Sequence, residues 1–575
     1  MVNQIQYATV YMSTSKSSKS HIVTVLLHDY FHHGVFQTVI GEKQWHRLDS
    51  RLEKNVKDAC TLLKRFNIKA TFFTLGWIAD KYPEIIKRLV SEGHEIANAG
   101  YRAYSVRQMT PTQFKEDIQR AKNALEMAGS NKIIGYRSAY QWFRQEEFWA
   151  LDILIEEGYR YDSSYRPHFN NLKEKPYRRF VYKHYGNNGK ILEFPASTIS
   201  ILVLNLPIGG GGYFRQFPHF FMFQNFEKWC GETNMPFILY FLPWELDSNQ
   251  PVITALGPLA RVRRYRNAGK MAWMLPRYFK ESRFQSISQY LNMPLVYPPK
   301  DEIASTDKIV SSEIINHTSA EVYSRYPKNT VSIIIPCYNE LPSIHYLSKT
   351  LDELVLKSLP KYYLKFIFID DGSTDGTYVR LQDTFESRKD CKVIRQERNM
   401  GVAATIKTGL QAADTEIVCS IDADCSYDPI TLLMMIPQLE SSVDIVTASP
   451  YHKDGFVLGV PRWRLLLSKS LSEIYHLFLR HKLSTYTSCF RVYRRNSVLD
   501  LKNKYGDFRG IIELLAMADI HGLTIKEYPT TLQSRIYGHS KMKILKTIIG
   551  HLKVILEMVQ YNRRFSSEHS TNDVT

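Results

Sequence analysis

Residues 332–377 read SIIIPCYNELPSIHYLSKTLDELVLKSLPKYYLKFIFIDDGSTDGT. The run opens with SIIIPCY (332–338) and closes on KFIFID (365–370), each short and apolar enough for a strand buried on both faces. A helical stretch near 340–357 separates them. The same alternation continues with CKVIR (391–395), EIVCSID (416–422) and VDIVTA (443–448), likewise apolar enough for strands buried on both faces, and with helical segments near 374–388, 400–413 and 428–440. A βαβα order specifies an α/β domain built on a parallel sheet with right-handed crossovers, and such sheets bind ligands at the carboxyl ends of their strands.

The acidic residues fall at those ends. The first strand runs into Pro336, Cys337, Tyr338, Asn339 and Glu340, the second into Asp370 and Asp371, and the fourth into Asp422-Ala423-Asp424. An Asp-x-Asp at a strand end offers hard oxygen ligands to one Mg²⁺ or Mn²⁺, which can bridge a diphosphate and neutralise it as a leaving group. Asp370 or Asp371 can accept hydrogen bonds from a base or ribose, and Tyr338 can pack against the base. Taken alone, an aspartate pair is more often a cap or a solvated turn; the neighbouring acidic strand ends are what raise this one above that reading.

Length and composition set the frame. A chain of 575 residues exceeds one ordinary core, and 44% hydrophobic with 23% charged residues describes a globular protein. The net charge of +17 implies an anionic counterpart such as phosphate, a membrane leaflet or nucleic acid, and no RNA or DNA motif accompanies it. Seven scattered cysteines without CxxC spacing suit a reducing compartment. Residues 1–20 are polar and lack the apolar core of a signal peptide, and no stretch reaches the roughly 18 to 20 apolar residues of a spanning helix. A cytoplasmic protein, peripheral on the inner face of a membrane, is the expectation.

Residues 294–329, rich in Pro, Ser, Lys and Glu, read as a linker. Before it, HIVTVLLHDYF (21–31), ATFFTLG (70–76), EIAN (95–98) and IIGYRS (133–138) are strand-like, with helices near 51–66, 82–92, 111–127 and 145–157. A distorted or incomplete β/α barrel over 21–293 accounts for them. The expected organisation is a loosely held 1–20, a first domain at 21–293, the linker, a second domain at 330–560 and a polar tail at 561–575.

Further motifs lie in the second half. PCYNE (336–340), DDGSTDGT (370–377), ERNMGVAATIKTGLQAA (397–413) and DADCSYDP (422–429) resemble the inverting family-2 glycosyltransferases of the GT-A fold. TSCFRVYRR (487–495), IIELLAMADIHG (511–522) and SRIYGHSK (534–541) are similar to the branch typified by dolichol-phosphate mannose synthase. The resemblance implies inverting transfer from a nucleoside-diphosphate sugar to a polyprenyl phosphate or related cell-envelope glycan acceptor, with nucleotide binding by Pro336, Tyr338, Glu340 and Asp371, metal binding by Asp422 and Asp424, and acceptor-phosphate contact by Arg535, Ser540 and Lys541. Independently, a polyprenyl phosphate is already an anion near neutral pH, so it needs cations to hold it rather than a general base; Arg535 and Lys541 supply them. Arg491, Arg494 and Arg495 could extend that basic face. A hydroxyl acceptor would instead require a carboxylate base, for which Asp424 or Glu513 could serve. The segment 541–559 reads either as a helix packed on the core or as an interfacial helix on an anionic membrane.

The first half resembles the NodB-like polysaccharide deacetylases through HDYFHHGVF (28–36), ATFFTLGWIADKYPEIIKRLVSEGHEIANAGY (70–101), GYRSAY (135–140), EEGYRYDSSYRP (156–167), FPAS (194–197) and YFLPWELD (240–247). Those enzymes hold a divalent metal with an Asp and two His. Here Ala99 and Ala103 stand where the resemblance places the histidines, Leu26 and Leu27 replace acidic company beside Asp29, and Leu242 replaces a histidine. Alanine cannot coordinate, so hydrolysis by that route is not expected. Two readings remain: a glycan-binding or structural module with Arg137, Trp142, Trp244 and Glu245 as groove contacts, or an unorthodox metal site at His28, Asp29, His32 and His33, which would leave a bifunctional deacetylase and transferase. A non-catalytic carbohydrate-binding scaffold is the alternative from a different class.

Overall fold

The computed structural model describes residues 19–32, 34–37, 39–130, 132–168, 172, 175–201, 204–293, 329–459, 462–477, 479–538, 550 and 553–561. The chain divides into two compact units. One comprises Met1–Phe36, Ser50–Pro251 and Pro258–Ser305; the other comprises Gln37–Asp49, Val252–Gly257 and Thr306–Thr575. Apart from Asn329, the linker expected at 294–329 lies outside the described residues.

In the first unit the strands are β1 (Ser20–Leu27), β2 (Thr71–Thr74), β3 (Glu95–Asn98), β4 (Gly135–Tyr136), β5 (Tyr161–Asp162), β6 (Tyr182–Gly186), β7 (Gly189–Glu193), β8 (Thr198–Ile201), β9 (Leu204–Pro207), β10 (Ile238–Phe241) and β11 (Arg283–Gln285). Nine of them make one sheet in the order β10-β1-β2-β3-β4-β5-β7-β6, with β11 also on β1. Every pairing except β6 with β7 is parallel. Among the described residues the order does not return to its start, so the barrel is the incomplete one the alternation suggested. β2, β3 and β10 are buried along their whole length. The helix Leu52–Arg65 buries Val56, Ala59, Cys60 and Leu63, a three-and-four spacing that turns one stripe inward.

The second unit contains β12 (Thr330–Cys337), β13 (Tyr363–Asp370), β14 (Cys391–Arg395), β15 (Ile417–Ser420), β16 (Ile445–Ser449), β17 (Phe456–Leu458), β18 (Arg491–Arg494), β19 (Ile525–Pro529) and β20 (Thr531–Gln533). Seven form a sheet ordered β14-β13-β12-β15-β18-β16-β19. β12 pairs in parallel with β13 on one side and β15 on the other. β18 enters antiparallel between β15 and β16. Val331 to Ile335 are buried without a break, as a strand covered on both faces requires. Helix Val402–Ala412 packs so closely on β12 that a Cβ at Gly409 would stand 2.4 Å from Ile334 Cγ2.

One expected helix is corrected. Residues 428–440 form a 3₁₀ turn at Pro429–Thr431, a short helix at Leu432–Met435 and a second 3₁₀ turn at Ile436–Gln438. Pro429 and Pro437 lack the amide hydrogen that a continuous helix needs.

Candidate active site

The strand order reverses at β12: the chain steps outward through β13 and β14 on one side and through β15 on the other. Such a switch point leaves a crevice outside the carboxyl ends of the two central strands. Glu340 follows β12 and Asp422 and Asp424 follow β15, so all three carboxylates belong to that crevice. The loops holding them are cross-tied. Asn339, at φ 53, receives Thr374 N at 2.8 Å on its Oδ1 and donates its own amide to Ser373 Oγ at 2.8 Å. Glu340 N donates to Thr377 Oγ1 at 2.8 Å. The PCYNE and DDGSTDGT stretches therefore form one surface.

Arg535 joins the carboxylates. Its Nη2 lies 2.6 Å from Asp424 Oδ2 and its Nη1 3.5 Å from Glu340 Oε1. Asp424 Oδ1 also accepts Ser426 N at 2.8 Å, and Glu340 Oε2 accepts Ser343 Oγ at 3.2 Å. No donor among the described residues meets the Asp422 carboxyl. Burial first, then the charges of Asp424 and Glu340, push its pKa up to about 7 against the opposing pull of Arg535. Arg535 bridges Asp424 and Glu340, and Asp422 is near enough to feel all three charges; the hard oxygens of Asp422 and Asp424 are of the kind that Mg²⁺ or Mn²⁺ takes.

The turn that presents Arg535 is held from several sides. Gln533 N donates to Ser426 O at 2.9 Å and Ser534 Oγ to Gly459 O at 2.6 Å. Thr254, from the segment Val252–Gly257, donates its amide to Ile536 O at 2.8 Å and its hydroxyl to Gly538 O at 2.6 Å. Nothing in the local sequence around Thr254 announces this role, because its partners are hundreds of positions away. Ser540 and Lys541, the other residues expected to meet an acceptor phosphate, lie outside the described residues.

Pro336 and Tyr338 are partly exposed at the end of β12. The acidic pair at the end of β13 is bonded within its own unit. Asp370 is fully buried, with Arg395 Nε at 3.6 Å. Asp371 accepts Met400 N at 2.6 Å and Gly401 N at 3.0 Å, so its carboxylate holds the start of helix Val402–Ala412. Burial raises its pKa, with those two amides opposing the shift. Gly401, at φ +94, sits where a Cβ would stand 2.6 Å from Gly506 O.

The proposed extension of the basic face is corrected. Arg491 is fully buried and donates to Ile511 O and Tyr486 O, both at 2.9 Å. Arg494 pairs with Ile417 at the opening end of β15, away from Asp422, and bonds Glu440 O at 3.0 Å. Arg495 Nε donates to Leu410 O at 2.9 Å. Glu513 is likewise committed to structure, accepting Lys504 N at 3.0 Å and Tyr505 N at 2.9 Å. Of the segment 541–559, the described residues from 553 onward are helical, and Val554, Ile555 and Met558 lie in the same buried cluster as Ile512 and Leu515. For that part the core-packed reading holds. Among the described residues no helix is long and apolar enough to cross a membrane.

In the first unit Asp29 is enclosed by its own chain. Its Oδ1 accepts Tyr30 N at 2.8 Å, and its Oδ2 accepts Ser50 Oγ at 2.6 Å and Arg51 N at 3.1 Å. His32 Nδ1 accepts Asp29 N at 3.1 Å. His28 is buried, and that burial, with Arg137 nearby, lowers its pKa to about 3 and keeps the ring neutral. His33 lies outside the described residues.

Of the expected groove contacts, Arg137, Trp244 and Glu245 are inside the packing and Trp142 is partly exposed. Arg137 is buried between Trp142 and Tyr240, its guanidinium 4.6 Å from each ring centroid. Trp244 lies beneath Arg264 at 3.4 Å, and Glu245 accepts Arg215 Nε at 2.9 Å. Buried arginines stacked on aromatic faces stabilise this core; they do not present Trp244 or Glu245 to a ligand. Cys60, Glu92 and His94 bring ligand-type atoms within 4.8 Å of one another. His94 Nδ1 accepts Ala70 N at 3.2 Å, so the neutral ring carries its proton on Nε2, facing Glu92 at 3.9 Å. A protonated nitrogen is no metal ligand.

Sequence comparisons match both halves of the chain to known families. Glycosyl transferase family 2 matches residues 332–501, Polysaccharide deacetylase matches 45–150, and a domain of unknown function, DUF3473, matches 163–292. A dolichol-phosphate mannosyltransferase of Pyrococcus furiosus is 27% identical over 40% of this chain and 64% of its own length. A polyprenol monophosphomannose synthase of Mycolicibacterium smegmatis is 26% identical over 38% of this chain and 82% of its own. The chain thus spans less than two thirds of the Pyrococcus protein. Glucosyl-3-phosphoglycerate synthase of Mycobacterium tuberculosis, solved with Mn²⁺, uridine diphosphate and phosphoglyceric acid, is 17% identical, with 42% of this chain and 81% of that chain covered and a TM-score of 0.32. Residues 332–501 thus match the model of Glycosyl transferase family 2, in a chain whose residues 45–150 match that of Polysaccharide deacetylase.

Proposed function

We propose that the second unit is an inverting glycosyltransferase that moves a sugar from a nucleoside-diphosphate sugar to a polyprenyl phosphate. The observation that carries this reading is Arg535 bridging Asp424 and Glu340, with Asp422 close enough to feel their charges, at the switch point of the sheet. The names of the two curated relatives, which concern dolichol phosphate and polyprenol monophosphate, support the acceptor class.

Asp422 and Asp424 would hold a divalent ion, which when bound neutralises the leaving diphosphate. Tyr338 and Pro336 offer a surface for the base, and Asp371 fixes the backbone beside it. Arg535 holds the acceptor phosphate, with Ser540 and Lys541 in the same role. The phosphate oxygen forms the new bond to the anomeric carbon from the face opposite the leaving group, and the bond electrons depart with the nucleoside diphosphate. No carboxylate has to remove a proton, consistent with Glu513 being tied to Lys504 and Tyr505. Polyprenyl phosphates are membrane-borne, and a net charge of +17 suits peripheral contact with an anionic leaflet. The first unit acts as a glycan-binding or structural module: its Asp29 is saturated by protein donors and Ala99 and Ala103 offer no ligand atoms.

The test is direct. Full-length protein with Mn²⁺, a panel of nucleotide sugars and a short-chain polyprenyl phosphate should yield an organic-soluble sugar, and Asp422→Ala or Asp424→Ala should lower its formation roughly a hundredfold or more. Undiminished turnover in both variants would overturn the assignment.

A further inference from the structure

The turn carrying Arg535 is braced by residues that lie far outside the matched transferase stretch. Thr254 gives two hydrogen bonds to it, from its amide to Ile536 O at 2.8 Å and from its hydroxyl to Gly538 O at 2.6 Å. Its neighbour Ile253 is fully buried and Leu256 nearly so, which fixes the segment that delivers it. On the other side of the turn, Gln44 Nε2 reaches Gln533 Oε1 and Tyr346 OH, both at 3.1 Å. Arg47, 2% exposed, bonds Glu353 at 2.8 Å and Asp428 at 3.3 Å, in the loop that follows Asp424.

The geometry at Gly538 shows how near this bracing comes to the site. Its φ is +76, and a Cβ built there would lie 3.9 Å from both Arg535 Nη1 and Glu340 Oε2. The Gly538 carbonyl that Thr254 holds therefore belongs to the same turn as the guanidinium facing Asp424. A guanidinium on a long side chain delivers in-line binding only when its backbone is fixed, because an ångström of drift forfeits the alignment on which transfer depends.

We propose that Thr254 is a positioning residue for the acceptor subsite: by tying the 535–538 turn, it holds Arg535 where the acceptor phosphate binds. This rests on the transfer reaction proposed above. It adds that the acceptor subsite is completed by the segment Val252–Gly257, which lies in the stretch that matches DUF3473 and not in the transferase match.

The experiment uses full-length protein, Mn²⁺, the donor sugar identified by the panel and a short-chain polyprenyl phosphate. Thr254→Val keeps the branched shape and removes the hydroxyl; it should raise the acceptor KM roughly three- to tenfold while leaving the donor KM within about twofold, and Thr254→Ser should restore it. Amide hydrogen exchange across 534–538 should quicken in Thr254→Val and return in Thr254→Ser. An unchanged acceptor KM with unchanged exchange overturns the proposal, as does an equal rise in both KM values accompanied by a lower melting temperature. Absence of any lipid-linked product from the wild type overturns the transfer reaction itself, and exchange at 534–538 still decides separately whether Thr254 holds the turn.

Discussion

Arg535 Nη2 stands 2.6 Å from Asp424 Oδ2. The guanidinium thereby occupies the acidic cluster as its one close cation among the described residues, with Glu340 on its other edge. A divalent ion entering between Asp422 and Asp424 competes for the same carboxylate. Arg535→Gln should thus bind Mn²⁺ more tightly, by roughly three- to tenfold, while transfer falls about a hundredfold. Calorimetric titration of Mn²⁺ into the variant checks this; a weaker affinity would contradict the competition.

Asp422 links the site to stability. Its folded pKa is raised to about 7, well above the ordinary aspartate value. Below the unfolded pKa both states hold the proton and nothing is lost. As pH rises toward 7 the unfolded chain releases it first, so stability declines with pH and the penalty is complete above that value. In metal-free buffer, Asp422→Asn should raise Tm at about pH 8 by roughly 2–4 °C and change it little at about pH 4. A gain that is larger at the acidic end would reverse the sign and refute the account. Divalent binding to the wild type should weaken as pH falls below about 7, since the ion must displace that proton.

Arg491 is a core residue in the guise of a surface one. Its guanidinium donates to two carbonyls within a fully buried setting, so Arg491→Met should lower stability by about 2–4 kcal/mol through the unmet carbonyls and lost packing. Urea unfolding would measure it. A loss of acceptor affinity at unchanged stability would restore Arg491 to the basic face.

Asp29 should behave as a structural anchor. Since it binds Ser50 Oγ and Arg51 N at the start of helix Leu52–Arg65, Asp29→Ala should cost about 1–3 kcal/mol and leave the Mn²⁺ stoichiometry unchanged. Loss of a bound metal ion in this variant would revive a metal site in the first unit.

These cases show what the sequence made legible. The β-branched runs at 332–338, 365–370 and 416–422 coincide with β12, β13 and β15 because a buried strand leaves an unbroken local pattern, whereas 391–395, read the same way, forms the edge strand β14 with no fully buried residue, since only one neighbour covers it. Their ends could be read as a site for the same reason: the topology puts strand ends together. β18 was not legible, since RVYR looks like exposed basic chain and only the antiparallel partners on each side explain a buried Arg491. A carboxylate at a strand end carries no mark of the amides it will accept, so the bonds from Met400 and Gly401 to Asp371 are not legible in the sequence. Thr254, Gln44 and Arg47 are joined to the site by contacts spanning hundreds of residues, which no local periodicity encodes.

The most direct test of the central claim compares two acceptors that differ by one group. With Mn²⁺ and the donor sugar, a short-chain polyprenyl phosphate should become glycosylated, the matching polyprenol should not, and chelation by EDTA should stop the reaction. Glycosylation of the free alcohol at a comparable rate, or turnover unaffected by EDTA, would contradict a phosphate held by Arg535 beside a divalent ion on Asp422 and Asp424.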